Sequence, residues 1–404
     1  MSRFAPAWLE EPAVRRLLTA LAAGAIEARF VGGCVRDALL GAAAGDIDLA
    51  TPARPEAVMA VLAAARIKAL PTGLAHGTVT AVIKPRNFEI TTLRRDLETD
   101  GRHARVAFDA GWAEDATRRD FTINAIYLAP DGTLYDPVGG RADLAAHRVR
   151  FVGDAAARIA EDVLRILRYY RFEARFGDGN GDDEARAACR AAVEILPTLS
   201  AERVSSELLR LIASPDPIRA LRLMREDGVL AAILPEATRL DRLARLLPFD
   251  SDADPLLRLG ALIEVDRKGA TALARRLRLS SAEHGRLLQL ALPWPLDPNA
   301  DNQAQRLTVH RISPARFRDL ARLLAAEGRL EPSRLDDLLL FAQNWTPKAF
   351  PLSGHDVLDL GVPPGPQVGR LLADVERWWE DSDFTVDRAQ CLARLIKLVD
   401  GGRS

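Results

Sequence analysis

The chain has 404 residues, 48% hydrophobic and 27% charged, which supplies a sizeable core and excludes an intrinsically disordered protein. Its 55 basic and 56 acidic side chains leave a net charge of −1, which excludes a uniformly cationic nucleic-acid coat while leaving room for a local basic groove. Cys34, Cys189 and Cys391 are too far apart for a disulfide framework or a zinc pattern; no apolar run approaches the ~18 residues of a membrane span, residues 1–9 lack the order of a secretory leader, and the expectation is a soluble cytoplasmic protein.

Up to residue 150 the chain reads as mixed α/β. β-branched runs at 27–31, 47–51, 78–83 and 88–93 are separated by Gly, Pro, Asn and Asp. Helical patterns fall at 35–40, 55–64 and 122–127. Beyond residue 155, Leu, Ala and Arg recur three and four apart through 159–176, 185–196, 203–212 and 218–226, and helices broken by Pro and Gly continue to the end. The fold class is α+β: an α/β head at 1–150, then all-helical segments at 151–235, 236–300 and 301–404.

The first chemical signal is Val31-Gly32-Gly33-Cys34-Val35-Arg36-Asp37. Two glycines between a strand and a helix let the backbone approach a phosphate closely, and Arg36 is one turn away. Read alone, the pair is more often an ordinary tight turn. Asp46-Ile47-Asp48 opens the next strand, and alternate residues of a strand share a face. Two carboxylates on one face repel unless a cation lies between them, and Mg²⁺ prefers such oxygen ligands. Glu89, flanked by apolar residues in the strand at 88–93, is positioned to be a third.

Two further motifs follow, Arg118-Arg119-Asp120-Phe121-Thr122-Ile123-Asn124-Ala125 and Glu161-Asp162-Val163-Leu164-Arg165-Ile166-Leu167-Arg168. On one predicted helix Asp162 and Arg165, three apart, share a face that Arg168 and Arg171 continue. A carboxylate accepts and a guanidinium donates. Cytosine and adenine both present an amino donor beside a ring-nitrogen acceptor, whereas guanine and uracil reverse the order. An Asp beside an Arg therefore suits C and A. A mismatched base leaves buried groups unpaired, at a cost of ~1–3 kcal/mol each.

Together these motifs resemble the nucleotidyltransferases of the polymerase-β superfamily, and in order and spacing the class II tRNA nucleotidyltransferases and bacterial poly(A) polymerases. The likeness is strong over 30–176, weaker to Leu234-Pro235-Glu236, and returns over 352–372. It implies a nucleotidyltransferase head followed by helical neck, body and tail. It implies two Mg²⁺ ions on Asp46 and Asp48, with Glu89 as the third catalytic carboxylate. Gly32, Gly33, Arg36 and Arg119 match nucleotide-contacting positions; Asp120 would accept from the ribose 2′-hydroxyl with Asn124 in support. Asp162 and Arg165, with Arg168 and Arg171, would select the base. The polar stretch 93–105 resembles the flexible loop of the family, here with Asp100, Gly101 and Arg102 in place, and an intact loop favours complete CCA synthesis. The implied reaction is addition of C, C and A to tRNA from CTP and ATP. A poly(A) polymerase, a CC-only or A-only enzyme, and a non-catalytic tRNA-binding protein with a relic head stand as alternatives.

The remainder offers less. Residues 303–334 carry seven Arg against three acids, and 267–286 are also rich in base. Both read as tracks for the acceptor and T arms of tRNA, or equally as solvated helix faces. The acidic stretch 374–387 is expected to point away from RNA. Glu202-Arg203 and Glu207 read as scaffold, with Arg203 and Glu207 spaced to pair. His355-Asp356 and the other histidines do not fall at metal-ligand spacings, and the sequence is silent on oligomeric state.

Overall fold

The computed structural model describes residues 3–100 and 103–401. Gly101 and Arg102 therefore lie outside the described residues, and of Asp100 only the backbone is described. The chain divides into two compact units, Met1–Ala237 with Arg276–Arg278, and Thr238–Arg275 with Leu279–Ser404.

The first unit is built on a seven-stranded mixed sheet. Its strands are β1 (Arg29–Val31), β2 (Ile47–Thr51), β3 (Lys68–Gly73), β4 (Thr78–Ile83), β5 (Arg86–Thr92), β8 (Tyr127–Leu128) and β9 (Leu134–Tyr135), in the spatial order β3-β4-β5-β2-β1-β8-β9. Two further strands, β6 (Arg95–Asp100) and β7 (His103–Ala107), pair only with each other. All neighbours are antiparallel except β2 and β5. Alternation in β5 buries Phe88, Ile90 and Thr92 and turns Glu89 outward. Val31, Ala50, Leu93, Ala116, Ala125, Tyr127 and Val152 close one side as a single apolar cluster. At ~1.5–3 kcal/mol for each large apolar side chain withdrawn from water, this packing holds the sheet's central strands in register.

The structure departs from the sequence expectation in three places. The stretch 93–105 contains the β6–β7 hairpin rather than a plain loop. The expected helix at 122–127 is a 3₁₀ turn, Thr122–Asn124, followed by β8. Tyr127 and Leu128 have no exposed surface, and pairing with β1 completes the sheet over them, which outweighs a short helix. The expected helix at 159–176 is two helices, Ala155–Glu161 and Arg165–Phe176. Asp162 breaks it: its backbone is extended (φ −153°, ψ 105°) and its Oδ1 accepts from the Leu164 amide at 3.1 Å. Asp competes for backbone donors in this way wherever a helix can be interrupted.

The second unit is helical, and no helix among the described residues is long and apolar enough to cross a membrane. One of its anchors is Arg242, only 1% exposed. It donates to the carbonyls of Gly260 (3.2 Å), Ala261 (2.7 Å) and Ile263, and to Glu327 Oε1 (2.6 Å). Farther on, Leu352, Val357, Val375, Trp379, Cys391 and Leu395 form a separate apolar cluster.

Arg242→Ala takes a donor from three buried carbonyls and from Glu327 Oε1, while Arg239 still donates to Glu327 Oε2 (2.8 Å). The expected loss is ~3–5 kcal/mol, read as a lower melting temperature for the second unit. Glu327→Gln, which keeps one acceptor, should cost less.

Candidate active site

The site begins at the turn after β1. Gly32 has φ 78° and ψ −133°, a conformation that side chains other than hydrogen resist. A Cβ there would lie 3.9 Å from Arg119 Nη1, and one at Gly33 would lie 3.6 Å from Arg36 Nη2. The two glycines thus face the two arginines with which the resemblance groups them. Cys34 seals the floor: its Sγ donates to the carbonyl of Val31 at 3.4 Å and lies 3.8 Å from that of Asp48. Burial pushes this thiol up to about 11, so it is packing rather than nucleophile.

The carboxylates come from adjacent parallel strands. Asp48 of β2 is in direct register with Glu89 of β5, and exposed Asp46 precedes β2 by one residue. Burial first, then the charges of Glu89 and Asp46, push the Asp48 carboxyl up to about 6, with Arg119 opposing. A group displaced in this way gains from a nearby cation. Among the described residues no three His, Cys, Asp or Glu side chains converge into a complete metal cage. The donor set nonetheless fits a hard divalent ion such as Mg²⁺, which takes one or two carboxylates and completes its shell with water and substrate phosphate.

A chain of hydrogen bonds ties the Gly-Gly helix to the later motifs. Arg36 Nη1 donates to Asn124 Oδ1 (2.6 Å), and Asn124 Nδ2 donates to Asp120 Oδ1 (3.1 Å). Arg168 Nε donates to Asp120 Oδ2 (3.0 Å), and Arg171 Nε to Glu207 Oε2 (2.5 Å). Burial alone would raise the Asp120 carboxyl; Arg168, Asn124 and the Phe121 amide outweigh it and hold it below the usual range. Asp120 and Asn124 therefore meet, although Asp120 precedes the 3₁₀ turn that carries Asn124 and the two do not share a helix.

Asp162 and Arg165 do not share a helix; the Arg165 amide donates to the Asp162 carbonyl at 3.0 Å, but their side chains take other partners. Asp162 Oδ2 accepts from Arg203 Nη2 at 2.6 Å. Arg165 Nη1 donates to Glu161 Oε2 at 2.6 Å and to the carbonyl of Arg158 at 2.8 Å. Arg203 and Glu207, expected to pair with one another, instead hold Asp162 and Arg171.

Sequence reasoning missed Asp115. It has no exposed surface, and its carboxylate accepts from Arg118 Nε (2.7 Å), Arg119 Nη2 (3.1 Å) and the Tyr127 hydroxyl (2.7 Å). Burial raises its carboxyl, but Arg119, Arg118 and Tyr127 together bring it below the usual range. The available signal was its spacing, three and four residues before the two arginines on a helix.

A mixed sheet carrying a Gly-Gly turn, an Asp-x-Asp strand and a facing Glu defines a nucleotidyltransferase of the polymerase-β kind, a class that works with divalent metal ions. The pattern described as "Poly A polymerase head domain" matches residues 28–150, and that described as "Probable RNA and SrmB- binding site of polymerase A" matches 182–240. The mitochondrial CCA tRNA nucleotidyltransferase 1 of Mus musculus is 34% identical over 92% of this chain and 87% of its own length. The CCA-adding enzyme of Geobacillus stearothermophilus is 40% identical over 54% of each chain. The crystal structure of the Bacillus stearothermophilus CCA-adding enzyme in complex with CTP superposes with a TM-score of 0.71 at 27% identity, covering 97% of this chain and 99% of that one. The chain belongs to the family of CCA tRNA nucleotidyltransferases.

Asp115→Asn keeps the shape but removes the charge that holds Arg119. Nucleotide incorporation per unit KM should fall ~10–100-fold, as misplacement of a binding group does. An unchanged circular dichroism spectrum would confirm that the fold is intact.

Proposed function

We propose that the protein adds C, C and A, in that order and without a template, to the 3′ end of tRNA, using CTP and ATP and releasing pyrophosphate. The observation that carries the reading is the register of Asp48 with Glu89 beside the Gly32-Gly33 turn, which puts the carboxylates next to a phosphate-accepting backbone.

In this reading Asp46 and Asp48 hold two Mg²⁺ ions, with Glu89 alongside. A metal held there would lower the pKa of the primer 3′-hydroxyl and offset the charge of the leaving pyrophosphate. Gly32 and Gly33 admit the triphosphate, and Arg36 and Arg119 donate to it. Asp120, kept ionised by Arg168, accepts from the ribose 2′-hydroxyl, and Asn124 fixes its direction. Asp162 accepts from the amino group of C or A while Arg165 donates to the neighbouring ring nitrogen. Their partners Arg203 and Glu161 steady both groups, and Arg168 and Arg171 line the same helix. Asp100, Gly101 and Arg102 belong to the segment assigned to the switch from C to A.

The division into head (1–150), neck (151–235), body (236–300) and tail (301–404), and a cytoplasmic location, belong to the same proposal. So does contact with the acceptor and T arms. The arginines of 303–334 separate by their partners. Arg306 pairs with Asp383 (2.7 Å) and Arg311 with Glu380 (3.2 Å), so two of these arginines are neutralised by the acidic stretch. Arg316 is different: its Nε donates to the neutral carbonyl of Gln289 (3.0 Å), and burial and the charge of Arg267 both press its guanidinium down. Two like charges held together favour a phosphate between them.

The reading is tested with tRNAs ending before CCA, after C and after CC, each given CTP, ATP or both. Three additions followed by a stop are expected; a long adenosine ladder would make the protein a poly(A) polymerase. Asp46→Asn with Asp48→Asn should abolish transfer and spare tRNA binding. Arg267→Ala with Arg316→Ala should weaken tRNA binding and reduce its salt slope by about one per lost phosphate contact. Arg306→Ala and Arg311→Ala should lower the melting temperature instead and leave that slope in place.

A further inference from the structure

The helix Arg165–Phe176 meets the head through the ion pairs of Arg168 and Arg175. Near its start Arg168 holds Asp120, the carboxylate assigned to the ribose. Near its end Arg175 Nη2 donates to Asp37 Oδ2 at 3.3 Å, and Asp37 lies on the helix Gly33–Leu39 that the Gly32-Gly33 turn opens. Close to two full turns separate Arg168 from Arg175, so both lie on one face of their helix. Arg175 takes part in no contact of the proposed reaction so far.

Asp37 is already answered without it. The carboxylate is buried, and Arg36 Nε donates to its Oδ1 at 2.8 Å, with Nη2 2.7 Å from the same oxygen. One carboxylate thus serves two guanidiniums, and the junction keeps a positive charge in excess. Burial presses the Arg36 guanidinium down, Asp37 opposes this, and the charge of Arg175 adds to it. The ring of Phe176 packs against both, its centre 4.1 Å from the Arg36 guanidinium carbon and 5.1 Å from that of Arg175. Arg36 is enclosed by these contacts, whereas the Arg175 side chain is 51% exposed. Among the described residues Asp37 is its one ion-pair partner, which leaves most of its N–H donors open.

We infer that Arg175 binds the outer phosphates of the incoming CTP or ATP, an inference that rests on the reaction proposed above. Along the helix the contacts then follow the order of the nucleotide's own parts. Arg165 takes the base, Arg168 with Asp120 the sugar, and Arg175 the far end, beside the helix that leaves the phosphate-accepting turn. At 1.5 Å per residue, Arg175 lies about 15 Å along the axis from Arg165. That is the reach of an extended nucleoside triphosphate. A phosphate there meets a guanidinium whose charge Asp37 only shares, and whose planar fork suits two phosphate oxygens at once. Asp37 holds that fork in place before the nucleotide arrives.

The test is calorimetric titration of the full chain, free of RNA and in Mg²⁺, with CTP and with CMP. Arg175→Ala, a change at an exposed side chain, should weaken CTP about tenfold and leave CMP unchanged, as loss of one charge-assisted phosphate contact does. Arg175→Lys should recover part of the loss. Arg222→Ala, at an exposed position of the helix Pro217–Glu226, should change neither ligand, which separates a contact from a general loss of positive charge. Wild-type protein that binds CTP no more tightly than CMP would sink the proposed reaction and this inference with it. Where wild-type protein prefers CTP, three results would overturn the inference alone: equal loss of CTP and CMP, no loss of either, or unchanged CTP with weaker tRNA binding and a shallower salt dependence, which would give Arg175 to the RNA backbone.

Discussion

The ion pair between Asp120 and Arg168 is the contact on which the candidate site depends. It joins the sheet-bearing head to the first long helix beyond it, across 48 residues of sequence. Each partner would be costly alone, since a half-buried carboxylate or guanidinium without a counter-charge favours losing its charge or leaving the interior. Paired, they also fix what surrounds them. Asn124 is oriented by Asp120, Arg36 by Asn124, and both therefore by a helix that begins after residue 164. The sheet supplies position and the helix supplies charge.

The same economy recurs around it. Asp115 gathers Arg118, Arg119 and Tyr127; Glu207 holds Arg171; Arg203 holds Asp162; Glu161 holds Arg165. Arg119, Arg171, Asp162 and Arg165, each expected to touch nucleotide, are thus steadied by a group of opposite charge from another turn or another helix. Such pairs add little net stability, because desolvation consumes most of the attraction. What they add is direction. A guanidinium held at one nitrogen offers its remaining donors along a fixed line, which is what discrimination between two base edges requires.

Much of this arrangement is legible in the sequence because strands report themselves by alternation. Period two puts Asp48 and Glu89 each on one face of its own strand, and β2 appears with the bounds expected; that the two strands are neighbours is seen only in the sheet. Helical spacing was a poorer guide. The periodicity of 159–176 runs smoothly through Asp162, yet its side chain takes the Leu164 amide and ends the first helix there. Tyr127 has the surroundings of a helix in sequence but the only open edge of β1 in space. The partners of the arginines were least visible. Asp383 and Glu380 lie 77 and 69 residues from Arg306 and Arg311, and local composition carries no trace of a pairing made at that distance.

The long reach of these contacts bears on how the protein is made. Asp48 and Glu89 become neighbours only after a crossover of forty-odd residues has closed, and Arg36 meets Asn124 88 residues later in the chain. Pairings of this kind form slowly, because the loop must close before the contact rewards it. A nascent chain emerging as far as residue 150 already owns every strand of the sheet, yet its Asp120 has no Arg168. During synthesis the head thus waits for the next helix to leave the ribosome before Asp120 is answered. The sheet is thus complete in sequence before its charges are paired, and folding of the head is coupled to the helix that carries Arg168.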